Sequence, residues 1–468
     1  MVLSSNYGGK MNFAVRHIPT LRGSIFRRLV PFLTSRTGVL GATTVGSLVV
    51  RTGSSMLLTR LLTPYDFGII GIITAVFFTV TLITDLGFEA FLVRHERTDE
   101  RHFRDVIWTI HAKRGFALFA AVALASPVIA WAFGKPVVAL PLAVTSVIFI
   151  VNGLASLSPI TALRRDKSRE LSLLDLGLQI FQTIVCLSLA LWWRNAWSMI
   201  AAMILQSVLR AICSYVFFQD SAQRPARDRL IAREFLAFSR IVLMSSALTL
   251  LIGQSDKMVL GRLFTLDQFG LYAIALTISS APTSFASAYI RRIAYPIYAK
   301  SWREAPDQLR NVYYNVRRAA ARLYAFGCGG LIGGAPLLIA LLYDPRYAHA
   351  SIFVSLIMIA SALRLPNVAA AELLTATGDI KGTLRINMVR LVWLMFAMPT
   401  GIFLFGATGV VAAVGLIEVP AMLYCWVSLH RVRLLKLREE IAFLALLLAG
   451  AGIGFLVAKE VLLIAPAI

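Results

Sequence analysis

Apolar runs follow one another along nearly the whole chain, broken only by short polar corners. Each is about the ~20 residues a helix needs to cross the hydrocarbon core of a bilayer. The pattern predicts helical spans over 38–59, 68–92, 107–133, 137–163, 171–193 and 196–218, then over 240–261, 269–292, 316–343, 347–375, 382–405 and 408–429. A thirteenth apolar run, 441–458, follows the basic stretch Arg431, Arg433, Lys436 and Arg438. The alternating segments of ~10 residues that would signal a membrane β-barrel do not occur. No intervening loop is long enough to fold as a domain; the longest are roughly 219–238 and 293–315. Whatever the protein does, it does with its spans.

One corner occurs twice. Arg60-Leu-Leu-Thr-Pro-Tyr-Asp-Phe-Gly68-Ile-Ile-Gly-Ile72 leads from one apolar run into the next, and Arg262-Leu-Phe-Thr-Leu-Asp-Gln-Phe-Gly270-Leu-Tyr-Ala-Ile274 does the same later. The offset is 262 − 60 = 202 residues, and Arg, Leu, Thr, Phe, Gly and Ile recur at matching places. A repeat on the scale of whole transmembrane bundles is a transporter signature. The expected fold class is therefore an all-α integral membrane protein made of two pseudo-symmetric six-helix bundles plus an extra C-terminal helix. The boundaries expected from sequence are a basic interfacial segment at 1–37, a first lobe at 38–219, a cytoplasmic linker at 220–239, a second lobe at 240–430, and a basic tail with the extra helix at 431–468.

Composition supports that class. Hydrophobic residues make up 58% of the chain and charged ones 15%, more apolar surface than a soluble protein can bury. The net charge of +22 would suggest nucleic acid in a soluble protein. Here much of it falls in one alternate set of loops: Arg94, Arg97, Arg101, Arg104, then Arg164, Arg165, Lys167, Arg169, and so on through Arg224–Arg233 and Arg291–Arg310. The other set offers about one cation per loop, namely Arg60, Lys135, Arg194, Arg262 and Arg346. By the positive-inside rule the N-terminus is expected in the cytoplasm, and nucleic acid drops out as a partner. Residues 1–37 carry no clean apolar core with a cleavage site, so they read as an interfacial segment rather than a cleaved signal. Cys186, Cys213, Cys328 and Cys425 all lie in apolar runs without metal-ligand spacing, so neither a metal nor a cofactor is expected.

The chemistry lies in charges placed where lipid would reject them. A charge near the bilayer centre costs at least ~2.5–3.5 kcal/mol, so it usually faces a cavity or a partner. Arg51, Arg210 and Arg364 fall near the middles of their spans, and Arg322 and Arg390 lie deeper than the inner interface. Five arginines from five spans suggest a cationic lumen for an anionic group, since the planar guanidinium fits phosphate oxygens; Arg322 and Arg390 alternatively snorkel to the interface. The acids are fewer: Asp85 and Glu89, expected four apart on one helix face, with Asp175, Asp256, Glu372 and Glu418. Asp85 and Glu89 either pair with Lys113 and Arg114 or, with Asp256 and Glu418, couple an ion. Lys257 is expected to point away from Asp256, which then needs a partner on another helix. Gln179, Gln182, Gln206, Asn152 and Asn387 are expected to line the interior or to bond neighbouring helices. Gly327, Gly329, Gly330, Gly333 and Gly334 before Pro336 mark close helix packing or a bending point.

The corner Arg60–Gly68 with Thr84-Asp85-Leu86-Gly87-Phe88, and Gln254-Ser-Asp256-Lys-Met-Val-Leu-Gly261 with Phe269-Gly270-Leu-Tyr272, resemble the openings of the two bundles in polysaccharide-transporter proteins. These are the Wzx-like oligosaccharide flippases of the multidrug/oligosaccharidyl-lipid/polysaccharide (MOP) superfamily. The resemblance in organisation covers about 38–430. It implies two six-helix lobes around a central cavity, and no enzyme. It implies a cargo of polyprenyl-diphosphate-linked oligosaccharide, moved from the cytoplasmic to the outer leaflet of the inner membrane by alternating access. Membrane lipids and polysaccharide polymerase or export machinery are the implied partners. Arg51 matches the family's cavity cation by position only, and the run 441–458 departs from the family's pattern. A lipid II-type precursor flippase and a multidrug antiporter of the same superfamily are the alternatives; the antiporter would want an acidic cavity, against the excess of arginine. A membrane glycan ligase or polymerase would need a sizeable extracytoplasmic loop, and those loops are short.

Overall fold

The computed structural model describes residues 36–165, 167–218, 222–379 and 381–464. The expected interfacial segment 1–37 lies outside them except for its last two residues. Every regular element among the described residues is helical. The first half of the chain gives α1 (Arg36–Leu61), α2 (Pro64–Ile83), α3 (Phe88–Arg94), α4 (Arg101–Phe133), α5 (Ala139–Thr145), α6 (Val147–Leu154), α7 (Ser158–Arg164), α8 (Ser168–Trp193) and α9 (Trp197–Val216). The second gives α10 (Arg229–Leu263), α11 (Leu266–Tyr289), α12 (Tyr295–Glu304), α13 (Leu309–Gly333), α14 (Ala335–Leu342), α15 (Ala350–Ala376), α16 (Lys381–Phe405), α17 (Ala407–Gly415), α18 (Glu418–Arg431) and α19 (Leu437–Ile464).

Among the described residues ten helices are long and apolar enough to cross a membrane, or eleven if α13 and α14, bent by 73°, count as one broken span. The remaining two of the thirteen expected spans are α1 and α10, which are long enough but less apolar. Each turns polar residues into the interior, as described below. The bend between α13 and α14 falls at Gly334, two residues before Pro336. A π-helical turn, Ile290–Ala294, joins α11 to α12.

The two copies of the repeated corner fold alike. Thr63 caps α2 through a capping box: its side chain accepts from the Asp66 amide at 3.4 Å, and Asp66 accepts from the Thr63 amide at 3.0 Å. Thr265 caps α11 in the same way with Gln268, at 3.2 and 3.1 Å. Each box satisfies two amides that a helix start otherwise leaves unpaired. The Phe-Gly pair that follows explains the glycines. A Cβ on Gly68 would sit 2.0 Å from the Leu266 carbonyl oxygen, and one on Gly270 would sit 1.9 Å from that of Pro64. The two corners therefore cross backbone on backbone, each copy's glycine admitting the other copy's helix start. Phe67, Phe269, Ile72, Ile73, Leu62 and Phe264 bury around this crossing in one core shared by both halves. Tyr347 adds a bond from its hydroxyl to the Leu62 carbonyl at 3.0 Å.

The thirteenth run is a full helix, α19, packed along α13. Glycines again set the distance: a Cβ on Gly333 would meet the Ala451 carbonyl at 2.0 Å, and one on Gly454 the Gly330 carbonyl at 2.4 Å. The glycine run before Pro336 thus serves both expected purposes, close packing at Gly329 and Gly333 and a bend at Gly334. Buried Arg317 pairs with Glu440, and Arg318 with Glu439 at 2.7 Å, which fixes α19 in register.

Four expectations need correction. The span 68–92 breaks: α2 stops at Ile83, and Gly87 takes a positive φ of 69° before α3. Asp85 lies in that break, accepting the Gly87 amide at 2.9 Å, while Glu89 is exposed on α3, so the two do not share a helix face. Arg114 donates to Thr84 Oγ1 at 2.8 Å rather than to either acid. The span 137–163 ends early: Pro136–Leu154, interrupted at Ser146, is the membrane-length stretch, and Ser158–Arg164 is a separate short helix after the break around Ser156.

Substituting the crossing glycines tests this packing. Gly68→Ala and Gly270→Ala each force backbone apart and are expected to lower unfolding free energy by about 1–3 kcal/mol. Gly53→Ala and Gly177→Ala, where an added Cβ meets nothing within 4 Å, are expected to be neutral or slightly stabilising. Unfolding titrations in detergent that place all four variants together would contradict the crossing.

Candidate functional site

A cavity of about 730 Å³ opens between the halves of the chain. Four helices of the first half, α1, α2, α8 and α9, and two of the second, α10 and α11, supply its walls. Phe67 and Phe269, from the two corner motifs, line it as well. At the corner end Ser55 Oγ and Tyr343 Oη lie 3.0 Å apart, and Arg346 reaches the Thr59 and Arg60 carbonyls at 3.4 Å. The molecule is thus sealed where the two corners cross.

Charge in the cavity is unequal. Arg51, Arg210 and Lys257 line it against one lining carboxylate, Asp175. Arg210 Nη2 bonds Asp175 Oδ1 at 2.7 Å, and both side chains remain more than half exposed. Arg51 has no carboxylate partner among the described residues. Lys257 Nζ donates to the Gly253 carbonyl at 2.9 Å and lies 3.6 Å from Asp256 Oδ1. Asp256 itself is buried behind the wall, bonded by the Tyr272 hydroxyl. Counting Asp256 with the lining groups still leaves one cation in excess, three against two. A low-dielectric cleft lined by one sign of charge concentrates the opposite sign.

The structure brings Arg51 and Arg210 together in this cavity and sends the other three expected cations elsewhere. Arg364 and Arg390 converge on buried Glu418 instead: Arg364 Nη1 bonds Oε1 at 2.7 Å, Arg390 Nη2 bonds Oε2 at 2.7 Å, and Asn367 Nδ2 donates to Oε2 at 2.7 Å. Arg390 also bonds Asn387 Oδ1 at 2.8 Å. This cluster ties α15, α16 and α18 together. Its carboxylate is already held by two fixed positive charges, which an incoming proton or sodium ion would have to displace. Arg322 lies at the α13–α19 seam, 3.9 Å from Glu439, and more than half exposed. The picture of five arginines around one lumen is therefore corrected to two in the cavity, two in a buried cluster and one at a helix seam.

Sequence reasoning missed Lys257, expected to point away from Asp256. It is both close to Asp256 and in the cavity wall, and Tyr272 is the cross-helix partner that Asp256 was expected to need. The glutamines fared better: Gln179, Gln182 and Gln206 all line the cavity, joined by Gln254.

The model of the family described as "Polysaccharide biosynthesis protein" matches residues 57–352. The chain belongs to that family. It is 22% identical over 291 residues to the teichuronic acid biosynthesis protein TuaB of Bacillus subtilis (strain 168), a match spanning 61% of this chain and 59% of that protein. The chain thus aligns with less than two thirds of that relative. In fold it is similar to the lipid II flippase MurJ in an inward closed conformation, with a TM-score of 0.72 over 90% of this chain and 92% of that one at 12% identity. It is also similar to an inward-facing multidrug resistance MATE family transporter of the MOP superfamily, with a TM-score of 0.60 over 90% of this chain and 98% of that one at 13% identity. This family member is thus a multi-pass membrane protein with the fold of MOP-superfamily transporters, and the proteins it resembles in fold are transporters rather than enzymes.

The two charge environments are expected to respond differently to mutation. Glu418→Ala leaves two guanidinium groups without their buried counter-ion and is expected to lower stability by about 3–5 kcal/mol. Asp175→Ala removes an exposed partner and is expected to change stability by less than ~1 kcal/mol. An SDS-unfolding titration separates them; equal effects would contradict this division of the charges.

Proposed function

We propose that this family member is a flippase that carries a polyprenyl-diphosphate-linked oligosaccharide from the cytoplasmic to the outer leaflet of the inner membrane. The observation that carries this reading is the net-cationic cavity between the halves, in which Arg51 has no carboxylate partner among the described residues. A diphosphate cannot cross hydrocarbon bare, because stripping its water leaves buried charge uncompensated. Arg51 and Lys257 supply the compensation, and Arg210 adds a guanidinium held ready by Asp175. The polyprenyl tail stays in lipid, so only the head group needs shelter.

The loop charges orient the carrier with its N-terminus in the cytoplasm. The crossed corners then face outward, and the cavity takes its cargo from the cytoplasmic side. Delivery requires the two lobes, 38–219 and 240–430, to rock about the cavity until the corners part. The excess of cavity cations disfavours a cationic drug as cargo. A lipid II-type precursor offers the same diphosphate, so it is separated from other glycans by the sugar carried and not by the head group.

Reconstitution tests the reading. Proteoliposomes bearing the full chain are expected to expose a lipid-linked oligosaccharide to an external glycosidase faster than empty vesicles. Arg51→Ala and Lys257→Ala are each expected to slow this about 10- to 100-fold, the value of one charge-assisted hydrogen bond. Wild-type rates in both variants would remove the cavity cations from the mechanism.

A further inference from the structure

The cavity wall carries a second chemistry that a diphosphate does not use. Phosphate oxygens only accept hydrogen bonds, so cations satisfy them. Carboxamides both donate and accept, and hydroxyls do the same. Gln182, Gln206 and Gln254 therefore offer more than an anion requires.

The threonines sharpen the point. Thr183 Oγ1 donates to the Gln179 carbonyl at 3.0 Å, Thr277 Oγ1 to the Ala273 carbonyl at 3.0 Å, and Thr74 Oγ1 to the Ile70 carbonyl. Each has spent its one proton on its own helix, so each turns only lone pairs toward the cavity. Gln254 adds an independent sign of a missing partner. It is 7% exposed, it lines the cavity, and its Oε1 has no hydrogen-bond donor among the described residues. An orphaned acceptor of this kind costs about 1–3 kcal/mol unless something donates to it. The threonine lone pairs at the cavity wall, with the Gln254 oxygen one side-chain turn behind it, suit a ligand rich in donors. A sugar with free hydroxyl or N-acetyl groups meets that need, and a phosphate does not.

Resting on the flippase reading, we infer that Thr74, Thr183, Thr277, Gln182, Gln206 and Gln254 form a saccharide subsite that reads the hydrogen-bond donors of the sugar next to the diphosphate. The site then selects a sugar-bearing lipid over a bare polyprenyl diphosphate. Cations give affinity for the head group, and the acceptor-rich wall gives the preference for glycosylated cargo. A carrier so built does not return spent, sugar-free lipid by the same route.

Two probes separate the possibilities: undecaprenyl diphosphate, and the same lipid carrying one N-acetylhexosamine. Binding to the full chain in nanodiscs is measured for each, and the readout is the ratio of the two affinities. Wild-type protein is expected to favour the glycosylated probe at least about tenfold. Gln254→Leu and the isosteric Thr277→Val are each expected to reduce that ratio about three- to tenfold. Arg51→Ala is expected to weaken both probes and leave the ratio in place. A wild-type ratio near one, or variants whose ratio matches wild type, overturns the subsite while leaving the flippase reading standing. Wild-type protein that binds neither probe overturns the flippase reading, and the subsite with it.

Discussion

The contact on which the rest of the molecule depends is a backbone crossing. Gly68 and Gly270 each let the other copy's helix start approach to a distance that no side chain permits. Because the two corners are repeats, one local solution, a capping box followed by Phe-Gly, is used twice and meets itself. The capping boxes fix where α2 and α11 begin, and the glycines fix how near they come. Closing one end in this way leaves the remaining length of α1, α2, α8, α9, α10 and α11 free to diverge around a cavity. The crossing buries aromatic and aliphatic side chains but contributes no ion pair between the two helix starts. A contact of this kind can part without stranding a charge in lipid.

Charge inside the membrane is handled in two opposite ways. Glu418 is saturated by Arg364, Arg390 and Asn367, and Arg317 pairs with Glu440 over the rings of Tyr313 and Tyr314 at 4.5 and 4.8 Å. Those groups hold helices in place, since removing one partner leaves a buried charge alone. Arg51 and the Arg210–Asp175 pair are instead left open to the cavity. The first kind is buried and matched, and it holds helices together; the second is open to the cavity, whether paired, as Arg210 is, or not. The fold supplies the space, and the excess of cations over carboxylates along the cavity wall is what the proposed anionic cargo rests on.

Much of this was legible in the sequence. The repeat at an offset of 202 residues marked the corners that turned out to cross, and apolar length marked the helices. Arg51, Arg210 and the three glutamines were found because polar groups in apolar runs seldom lack a purpose. What escaped depended on backbone conformation or on groups distant in sequence. Gly87 at a positive φ ends a run that hydropathy alone carries on to residue 92, and so separates Asp85 from Glu89. Arg364 has the same depth signal as Arg51 and Arg390 a shallower one, and only the approach of α18 shows that Glu418 claims both. Lys257 was set aside because neighbouring side chains on a helix diverge, yet its long, flexible stem reaches the cavity from beside Asp256. The docking of α19 on α13 rests on Gly450 and Gly454 meeting Phe326 and Gly330, and Gly333 meeting Ala451, a match between two distant segments that neither reveals alone.

The central claim is that the cavity cations, and not those of the buried Glu418 cluster or the α13–α19 seam, hold the diphosphate. A structure of the full chain in a lipid nanodisc with a polyprenyl-diphosphate-linked sugar bound tests it directly. The account requires the two phosphates to lie in the cavity within hydrogen-bonding distance of Arg51 and Lys257. Phosphates seated instead on the Arg364–Glu418–Arg390 cluster or at Arg322, with the cavity holding only water, would contradict it.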